Sequence, residues 1–342
     1  MTIKIGNLEV NSVVYVPPMA GVTDLVFRSL IRRLDPNCLL ATEMVSSRGL
    51  MNNPDCRIMK IADSDHPIGI QLFGHESDGM AAAAKMAQAA GADFIDINMG
   101  CPVPKITKGK DGCALMKEPE LAREIVMAVK DSISIPVTVK FRLGWDENNK
   151  NAIEFGTMLE EAGANAVTVH GRTRAQLYSG KADWGFIANV KKSLSIPVFG
   201  NGDVFSLENA LELIEKTNCN GVAIARGTMG NPWLAYRINQ YLNHKQTIAE
   251  PSIVERLAMA YDHAQLLVNY KGDRVGINES RRHVINYTKG LMHGSSYRGL
   301  LTQINNLNDL KEILTNLSYA IGGLIMQDEF LTAINLNELA LY

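Results

Sequence analysis

One cysteine stands where an apolar stretch ends, in the segment INMGCPVPKITKGKDGCALM (97–116). Cys101 lies between a glycine and a proline, just after AGADFIDIN, which is typical of a buried strand. A thiol there is either a small buried hydrophobic group or a group held for chemistry. As an acid it must stay protonated, whereas as a nucleophile it needs a lowered pKa. The choice depends on which side chains surround it.

Ten other residues that could react or bind a ligand share this placement, at or just past the end of an apolar run. They are Met19, Gln71, Asn98, Lys140, Arg142, His170, Arg172, Asn201, Asp203 and Arg226. With Cys101 they follow seven different runs, a coincidence that chance does not easily produce. If the runs are parallel strands of a closed barrel, these side chains converge on one mouth.

The apolar runs alternate with helix-like segments along most of the chain. Eight runs are rich in β-branched residues: 12–21, 37–44, 66–74, 92–100, 135–144, 165–173, 196–204 and 220–227. Helical segments between them include 76–91, 118–132 and 206–218. Continuous apolar runs are typical of strands buried on both faces. Eight such units predict a (β/α)8 TIM barrel, with a doubly wound open sheet as the alternative.

The pattern changes after residue 244. Three segments, 251–272, 277–292 and 307–323, read as amphipathic helices with no strand between them. We therefore predict a barrel domain over 1–245 and a small all-helical C-terminal domain over 246–342. The stretch TIAEPS (247–252) is the predicted linker.

Bulk properties narrow the functional classes. The 342 residues carry a net charge of -2, so a global nucleic-acid-binding signature is absent, although a local basic patch would suffice. The start of the chain does not resemble a signal peptide, and no apolar run is long enough to predict a membrane span. The five cysteines form no CxxC pair and the histidines complete no zinc pattern, so we expect free thiols, no metal and a cytoplasmic protein.

The last two runs carry a glycine-rich signature, in FGNGDVFS (199–206) and ARGTMGNPW (225–233). Glycines such as Gly202 let backbone amides approach a ligand, and the loops after strands seven and eight of a TIM barrel usually bind phosphate. Arg226 adds a guanidinium that suits a phosphate. A phosphate site is therefore predicted, with simple turns as the other interpretation.

Residue chemistry leaves two ligands open at this mouth. Gln71 can both donate to and accept from the edge of a flat heterocycle, and Lys140 supplies a positive charge. Met19 and Ala20 offer apolar cover for a ring. These residues fit a phosphorylated flavin, and they also fit a sugar-phosphate aldolase with Lys140 as the Schiff-base amine.

The order and spacing of eight motifs resemble the tRNA-dihydrouridine synthase family, FMN- and NADPH-dependent enzymes of the bacterial cytoplasm. The motifs are PPMAGVTD (17–24), TEM (42–44), QLFG (71–74), DINMGCPVPK (96–105), VKFRLGW (139–145), HGRTRAQLYSGKADW (170–184), NGDVFS (201–206) and ARGTMGNPW (225–233). The tail, with RRHVINYTKG (281–290), is similar to the tRNA-binding domain of the B-type subfamily.

The resemblance implies a set of FMN contacts: Pro18, Met19, Ala20, Gln71, Lys140, His170, Asn201, Gly202, Asp203, Ala225 and Arg226. Ala225 departs from the glycine, and Cys113 from the serine, that relatives often carry. The resemblance also implies that reduced FMN gives a hydride to a tRNA uridine and that Cys101 gives the proton, forming 5,6-dihydrouridine. A thiol of ordinary pKa suits that task, because it is mostly protonated at neutral pH.

Contacts to tRNA are also implied. Asn98 would read the uracil edge, Lys105 and Arg142 would lie near the substrate, and Arg172 and Arg174 would bind phosphates or the target nucleotide. The tail holds a local basic patch that would contact phosphates, and its members include Arg281, Arg282 and Lys289. A base of the D-loop can leave its stack at low cost.

Two rival functions stay open. One is another flavin barrel enzyme acting on a small pyrimidine, similar to dihydroorotate dehydrogenase, although a small substrate requires no basic tail. The other is a tRNA-binding protein without catalysis, although Cys101, Lys140 and His170 are all present. We expect a monomer with no obligate protein partner and no membrane contact. The preference for NADPH rests on the resemblance alone.

Overall fold

The computed structural model describes residues 2–53 and 56–339, with side chains up to residue 334. Two compact units divide the chain. One combines the described residues up to Arg226 with Ala235–Thr247, and the other combines Gly227–Leu234 with the described residues from Ile248 onward. Among the described helices, none is long and apolar enough to cross a membrane.

Short β-branched stretches form the strands of the first unit, because their side chains pack well on a pleated, buried surface. The strands are β1 (Ile3–Ile5), β2 (Leu8–Val10), β3 (Val14–Val16), β4 (Leu39–Ala41), β5 (Val45–Ser46), β6 (Ile68–Phe73), β7 (Phe94–Met99), β8 (Val137–Arg142), β9 (Ala166–His170), β10 (Val198–Asn201) and β11 (Gly221–Ala223). β1 and β2 pair as a separate antiparallel hairpin.

The remaining strands are parallel and close on themselves. The hydrogen-bonded order is β4-β3-β11-β10-β9-β8-β7-β6-β5, and an additional pairing between β4 and β6 completes the circle. β5 continues the second barrel strand after a break, so the barrel has eight strands. Each of the eight predicted runs contains one of them, and the TIM-barrel prediction is confirmed.

The break in the second barrel strand changes its register. Ala41 lies opposite Gly69, and Val45 lies opposite Leu72. The second strand thus uses four steps, from 41 to 45, where β6 uses three, from 69 to 72. One extra residue is accommodated in the TEM segment, which makes this a bulge beside the mouth of the barrel.

The helices follow the predicted alternation. They are α1 (Leu25–Leu34), α2 (Ser47–Asn52), α3 (Ser77–Ala89), α4 (Pro104–Thr107), α5 (Pro119–Ser132), α6 (Ala152–Glu161), α7 (Trp184–Ser193), α8 (Leu207–Thr217), α9 (Trp233–His244), α10 (Ile253–Lys271), α11 (Asp273–Tyr287), α12 (Gly294–Leu301) and α13 (Leu307–Leu339). Short 3-10 helices cover Arg57–Met59, Asp63–Asp65, Gly112–Lys117 and Arg226–Thr228. The three segments named as helical between the strands correspond to α3, α5 and α8.

Helix starts in the barrel unit are fixed by short polar side chains. Asp24, Asp183 and Ser206 each accept a hydrogen bond from a backbone N–H in the first turn of α1, α7 and α8. Between the strands and the surrounding helices lies a continuous apolar core, with Val139 on β8 and Val126 on α5 among its fully buried members. This core holds the carboxyl ends of the strands in fixed positions.

The second unit is built from α10 to α13 around its own apolar core. Ser252 and Glu255 form a reciprocal capping box at the start of α10. Fully buried members of this core include Leu257, Leu310 and Phe330. Gly323 interrupts α13 with a φ of 70° and a ψ of -158°, a conformation that glycine reaches without a Cβ clash.

Candidate active site at the mouth of the barrel

The strand register brings the predicted polar residues to one edge of the barrel. Asn98 on β7 lies opposite Lys140 on β8. Arg142, two residues further along β8, lies opposite His170 on β9, and His170 lies opposite Asn201 on β10. Neighbouring strands thus present these side chains side by side at their carboxyl ends, where active sites of this fold lie.

Cys101 is half-buried just past the end of β7. Its backbone N–H donates to Asn98 Oδ1 at 2.9 Å. Burial raises the pKa of the Cys101 thiol, while a backbone hydrogen bond at Val103 and the charges of Arg142 and Lys140 act in the opposite direction. The raised pKa keeps the thiol protonated at neutral pH.

Asn98 is held on both sides of its amide. Its Nδ2 donates to Gln71 Oε1 at 2.7 Å and lies 3.6 Å from Met44 Sδ. Its Oδ1 accepts from the backbone N–H groups of Gly100, at 3.1 Å, and Cys101. All four hydrogen-bonding positions of this amide are therefore directed at the chain, and the contact with Met44 sulfur is the weakest of them.

A buried carboxylate, Asp96, lies one layer below the mouth. Its Oδ2 accepts from Gln71 Nε2 at 2.5 Å and from the Tyr15 hydroxyl at 3.2 Å. Its Oδ1 accepts from Thr138 Oγ1 at 2.7 Å. Burial raises the Asp96 pKa, and hydrogen bonds from Thr138 and Gln71 and the charge of Lys140 oppose that rise.

The Lys140 ammonium lies in the mouth and is available to bind a ligand. Burial, followed by repulsion from Arg142, lowers its pKa to about 8, and attraction to Asp96 acts in the opposite direction. Its Nζ makes no hydrogen bond or ion pair within the part of the chain that the structure describes. An ammonium group without a protein partner is suited to an electron-rich group of a ligand.

Arg142 is buried, and its Nε and one terminal nitrogen donate to backbone carbonyls. Its Nε donates to Gly100 O at 2.8 Å. One terminal nitrogen donates to Thr173 O at 3.0 Å and to Leu177 O at 2.8 Å. The guanidinium thus joins the segment before Cys101 to the loop after β9.

His170 and Arg172 follow one another on and just beyond β9. Burial and four nearby cations lower the His170 pKa well below its ordinary value, so the imidazole is neutral at neutral pH. Arg172 is 2% exposed and donates to both Asp203 carboxylate oxygens at 2.7 Å. It also donates to Ser179 O and Gly180 O. This ion pair joins the loops after β9 and β10.

The loop after β10 has a constrained backbone. Gly202 has a φ of +124°, and an added Cβ would lie 2.7 Å from that of Ala182. Asp203 has a φ of 58° in the left-handed region. Asn201 Nδ2 donates to Ala223 O at 2.8 Å, which connects β10 to β11 beneath this loop. Glycine is required at this position because its φ is positive and a Cβ would clash with Ala182.

Arg226 lies between two exposed aromatic rings. Its guanidinium carbon is 4.8 Å from the Tyr178 ring centre and 5.6 Å from that of Phe205. One terminal nitrogen is 3.6 Å from Asp203. The Arg226 side chain is 39% exposed. Its guanidinium is therefore oriented by the two rings and still accessible to a ligand.

Other residues named from the sequence are placed around these. Pro18 and Met19 are half-buried and Ala20 is exposed in the loop after β3. Ala225 lies between β11 and the 3-10 helix that follows. Lys105 is exposed on α4. Arg174 is half-buried, with its guanidinium carbon 4.6 Å from the centre of the Trp145 ring.

The basic residues of the helical unit differ in exposure. Arg281 is half-buried and donates twice to Ile304 O. Lys271 pairs with Glu279 at 2.7 Å. Arg282 and Lys289 are exposed. The sequence predicted one patch, and the structure distinguishes side chains that brace the unit from those that face solvent.

Residues 14–321 match the family model described as dihydrouridine synthase. The chain belongs to the dihydrouridine synthase family. Among its curated relatives, "Probable tRNA-dihydrouridine synthase 1" of Synechocystis is 44% identical over 91% of this chain and 88% of its own length.

Other members of the family are similar over the same extent. A protein of Rickettsia conorii named "Probable tRNA-dihydrouridine synthase" is 41% identical over 91% of this chain and 94% of its own. "tRNA-dihydrouridine synthase B" of Pseudomonas putida is 38% identical over 92% of this chain and 93% of its own.

Sequence reasoning missed several residues of this family member's site. Asp96 received no role, although its position two residues before Asn98 puts both side chains on one face of β7. Tyr15 and Thr138 were read as ordinary strand residues. Tyr178 and Phe205 lie in loops, where no periodicity indicates which side chain approaches Arg226.

Proposed function

We propose that this protein is a tRNA-dihydrouridine synthase that binds FMN at the barrel mouth and reduces a D-loop uridine of tRNA to 5,6-dihydrouridine with NADPH. Membership of the dihydrouridine synthase family supports an oxidoreductase. The observation that carries the proposal is the half-buried Cys101 thiol at the mouth of the barrel, whose pKa is raised by burial. In the reverse direction NAD(P)+ would be the acceptor.

The donor set of the mouth fits a phosphorylated flavin. Within the described residues the Lys140 ammonium makes no hydrogen bond or ion pair, and Gln71 retains one N–H and one oxygen lone pair beyond its bonds to Asp96 and Asn98. Gly202, where a Cβ would meet its neighbours, directly precedes Asp203, which the accessible Arg226 approaches to 3.6 Å. We assign the phosphate to that loop and to Arg226.

The remaining FMN contacts follow from the same placement. Met19 and Ala20, with Pro18, would cover one face of the ring, and Asn201, Asp203 and Ala225 would line the phosphate side. The Nε2 of the neutral His170 faces Arg172 Nη1 at 3.5 Å, so the ring can donate one hydrogen bond through Nδ1 without adding charge. FMN, when bound, supplies the hydride for the reduction.

Cys101 supplies the proton. The uracil carbon beside the one that receives the hydride develops negative charge and needs a positioned acid. A raised thiol pKa keeps the Cys101 proton in place until that charge develops. Because Asn98 holds the Cys101 backbone, the acid is presented in a fixed position.

Asn98 can also receive the uracil edge. The contact of its Nδ2 with Met44 sulfur is weak enough for a substrate carbonyl to replace it. Arg142 and Arg172 were expected to touch the substrate, but the hydrogen bonds described for them run to backbone carbonyls, to His170 and to Asp203. We therefore assign both arginines to holding the loops that surround the substrate.

Contacts to the tRNA backbone are assigned to exposed cations. Lys105 lies on the helix that follows Cys101 and is free to reach a phosphate near the target nucleotide. Arg174, stacked on Trp145, presents a partly exposed guanidinium. In the helical unit, the exposed Arg282 and Lys289 are suited to phosphate contacts.

An absorbance spectrum of the purified protein tests this proposal first. We expect flavin bands that NADPH bleaches and that unmodified tRNA restores, with dihydrouridine detected in the recovered tRNA by mass spectrometry. A colourless protein that fails to take up added FMN would contradict the proposal. Restoration of colour by free pyrimidines, but not by tRNA, would favour the small-pyrimidine alternative.

A further inference from the structure

A continuous chain of hydrogen bonds runs from the barrel interior to the loop that carries Cys101. Asp96 Oδ2 accepts from Gln71 Nε2 at 2.5 Å, and Gln71 Oε1 accepts from Asn98 Nδ2 at 2.7 Å. Asn98 Oδ1 then accepts from the backbone N–H groups of Gly100 and Cys101 at 3.1 and 2.9 Å. We call these three side chains, Asp96, Gln71 and Asn98, the amide relay.

The orientation of each amide in the relay is determined by the backbone N–H groups of Gly100 and Cys101, where the relay ends. Backbone N–H groups only donate, so Asn98 must turn its oxygen toward Gly100 and Cys101. Its NH2 then faces Gln71, which must present its own oxygen in return. Gln71 consequently directs its NH2 at Asp96, and the last group must be an acceptor.

Only an unprotonated oxygen can end the chain. Gln71 is 1% exposed and Asp96 is fully buried, so bulk solvent does not reach the position of the carboxylate. An acceptor lost at this point leaves a buried N–H unsatisfied, or allows both amides to turn over. Turned over, Asn98 would point its NH2 at the N–H of Cys101.

We propose that Asp96 is a positioning residue for the reaction: its carboxylate ends the amide relay and thereby fixes Gln71, Asn98 and the backbone of Cys101. It touches neither substrate nor cofactor and acts through these residues. The catalytic meaning of this arrangement rests on the proposed function, whereas the relay itself can be tested without turnover.

The opposite view is that Asp96 only braces the barrel interior. It also accepts from Tyr15 and Thr138, and those two bonds lie outside the amide relay. If Asp96 only braces the interior, replacing it lowers the stability of the fold. If the amide relay positions Cys101, replacing Asp96 also changes the exposure of the Cys101 thiol.

The test compares the rate of Cys101 alkylation by iodoacetamide in the flavin-bound protein, read by peptide mass spectrometry. Four variants are used: Asp96→Leu removes the acceptor, Asp96→Asn keeps one acceptor oxygen, Gln71→Met cuts the relay in its middle, and Thr138→Val removes a bond to Asp96 outside it. The buried Cys38, Cys113 and Cys219 report on folding in the same samples. Thermal midpoints are measured in parallel.

We expect faster alkylation of Cys101 in Asp96→Leu and Gln71→Met, by about five-fold, the factor set by one net hydrogen bond of about 1 kcal/mol. The loosened loop exposes the thiol and removes the burial that raises its pKa. Asp96→Asn should restore the wild-type rate within a factor of about two. Thr138→Val should lower the thermal midpoint without changing the Cys101 rate.

Two results would overturn the proposal. One is a wild-type Cys101 rate in Gln71→Met, which stays measurable even if Asp96→Leu fails to fold. The other is a rise in Thr138→Val equal to that in Asp96→Leu, which would make Asp96 a brace. If the protein formed no dihydrouridine while the alkylation pattern held, the proposed function would fail and the relay would stand.

Discussion

Charged side chains at the barrel mouth are held differently from those of the helical unit. Arg142 binds backbone carbonyls of two loops, and Arg172 binds carbonyls of its own loop and the Asp203 carboxylate of the next. In the helical unit Arg282 and Lys289 are exposed, whereas Arg281 is half-buried and donates to Ile304 O. The two regions thus suit different tasks.

The difference follows from what each region is proposed to bind. Proton and hydride transfer need reacting atoms held within a few tenths of an ångström, which buried and hydrogen-bonded groups provide. Phosphate contacts tolerate movement, since Coulomb attraction falls slowly with distance. A side chain on the surface can adapt to an RNA backbone that a rigid one would miss.

The largest effect is expected when the acid of the mouth is removed. Cys101→Ala should lower the rate of dihydrouridine formation by about 10²–10⁴-fold, the usual contribution of a positioned acid. FMN absorbance and tRNA affinity should stay nearly unchanged, because the thiol binds neither. Single-turnover reoxidation of the reduced flavin by tRNA measures the rate.

Cys113→Ser is the matched control. Burial raises the pKa of its thiol to about 12, and the sulfur lies 3.9 Å from Gly144 O. Activity should be retained in this variant. A normal turnover rate in Cys101→Ala would show that another group supplies the proton.

Removal of the unpaired charge in the mouth should have the next largest effect. Lys140→Met is expected to weaken FMN binding by roughly 10–100-fold, because a hydrogen bond to a charged group contributes about 1.5–3 kcal/mol. The unfolding midpoint should change little, since Lys140 makes no bond within the described residues. Flavin fluorescence during titration measures the affinity, and equal Kd values for both proteins would refute the assignment.

The ion pair between the loops should contribute to the stability of the fold. Asp203→Asn is expected to lower the free energy of unfolding by about 2 kcal/mol, because it leaves the buried Arg172 without its carboxylate. Asparagine tolerates the left-handed backbone at this position, so the change isolates the charge. Urea unfolding followed by tryptophan fluorescence gives the value.

An exposed pair serves as its control. Glu212→Gln removes the charge opposite Lys216 on α8, where both side chains are about half exposed. Its effect should stay below about 0.5 kcal/mol. Equal losses in the two variants would mean that burial of Arg172 does not strengthen the pair.

The pH dependence of FMN binding offers a milder test of Lys140. Its pKa of about 8 means that the ammonium form dominates below that pH and is lost above it. FMN affinity should therefore fall by about five- to ten-fold between about pH 7 and about pH 9, with the bound flavin moving the midpoint upward. The same titration in Lys140→Met should be flat over this range; a matching decline there would assign it to another group.

The smallest effect is expected on the exposed face of the helical unit. Lys289→Ala should weaken tRNA binding about two- to three-fold and reduce the salt slope by about one, with an unchanged fold. Arg281→Ala should instead lower the stability of the unit, because Ile304 O loses its donor. Filter binding over a range of salt concentrations, with thermal unfolding in parallel, separates the two. If both variants changed tRNA binding and stability alike, the assignment of Arg281 to stability and of Lys289 to tRNA contact would be wrong.

Much of this arrangement could be predicted from the sequence. Hydrophobic runs and helical periods determine the eight strands, and closure of the barrel then brings Cys101, Lys140 and His170 to one edge. Asp96 escaped notice because a single acid in an apolar run has no local signature. Its partners Gln71 and Thr138 lie on neighbouring strands, and that pairing depends on strand register.

Directions of side chains were harder to anticipate. Arg142 and Arg172 sit where a ligand-binding arginine would sit, but loops folded over them and supplied carbonyl acceptors. The paths of those loops depend on contacts far apart in the sequence. The same holds for the rings of Tyr178 and Phe205 beside Arg226.

The extra residue in the second barrel strand has a consequence for how this protein can change over evolutionary time. Side chains alternate along a regular strand, yet Glu43 bonds Gly21 N and its neighbour Met44 reaches Asn98. Deleting one residue between 42 and 44 would give the second strand and β6 the same number of residues between their pairings. The pairing of β4 with β6, which closes the barrel, would remain. Insertion or deletion of a single codon here would therefore change which side chains of this strand face the mouth, while the barrel pairing is retained.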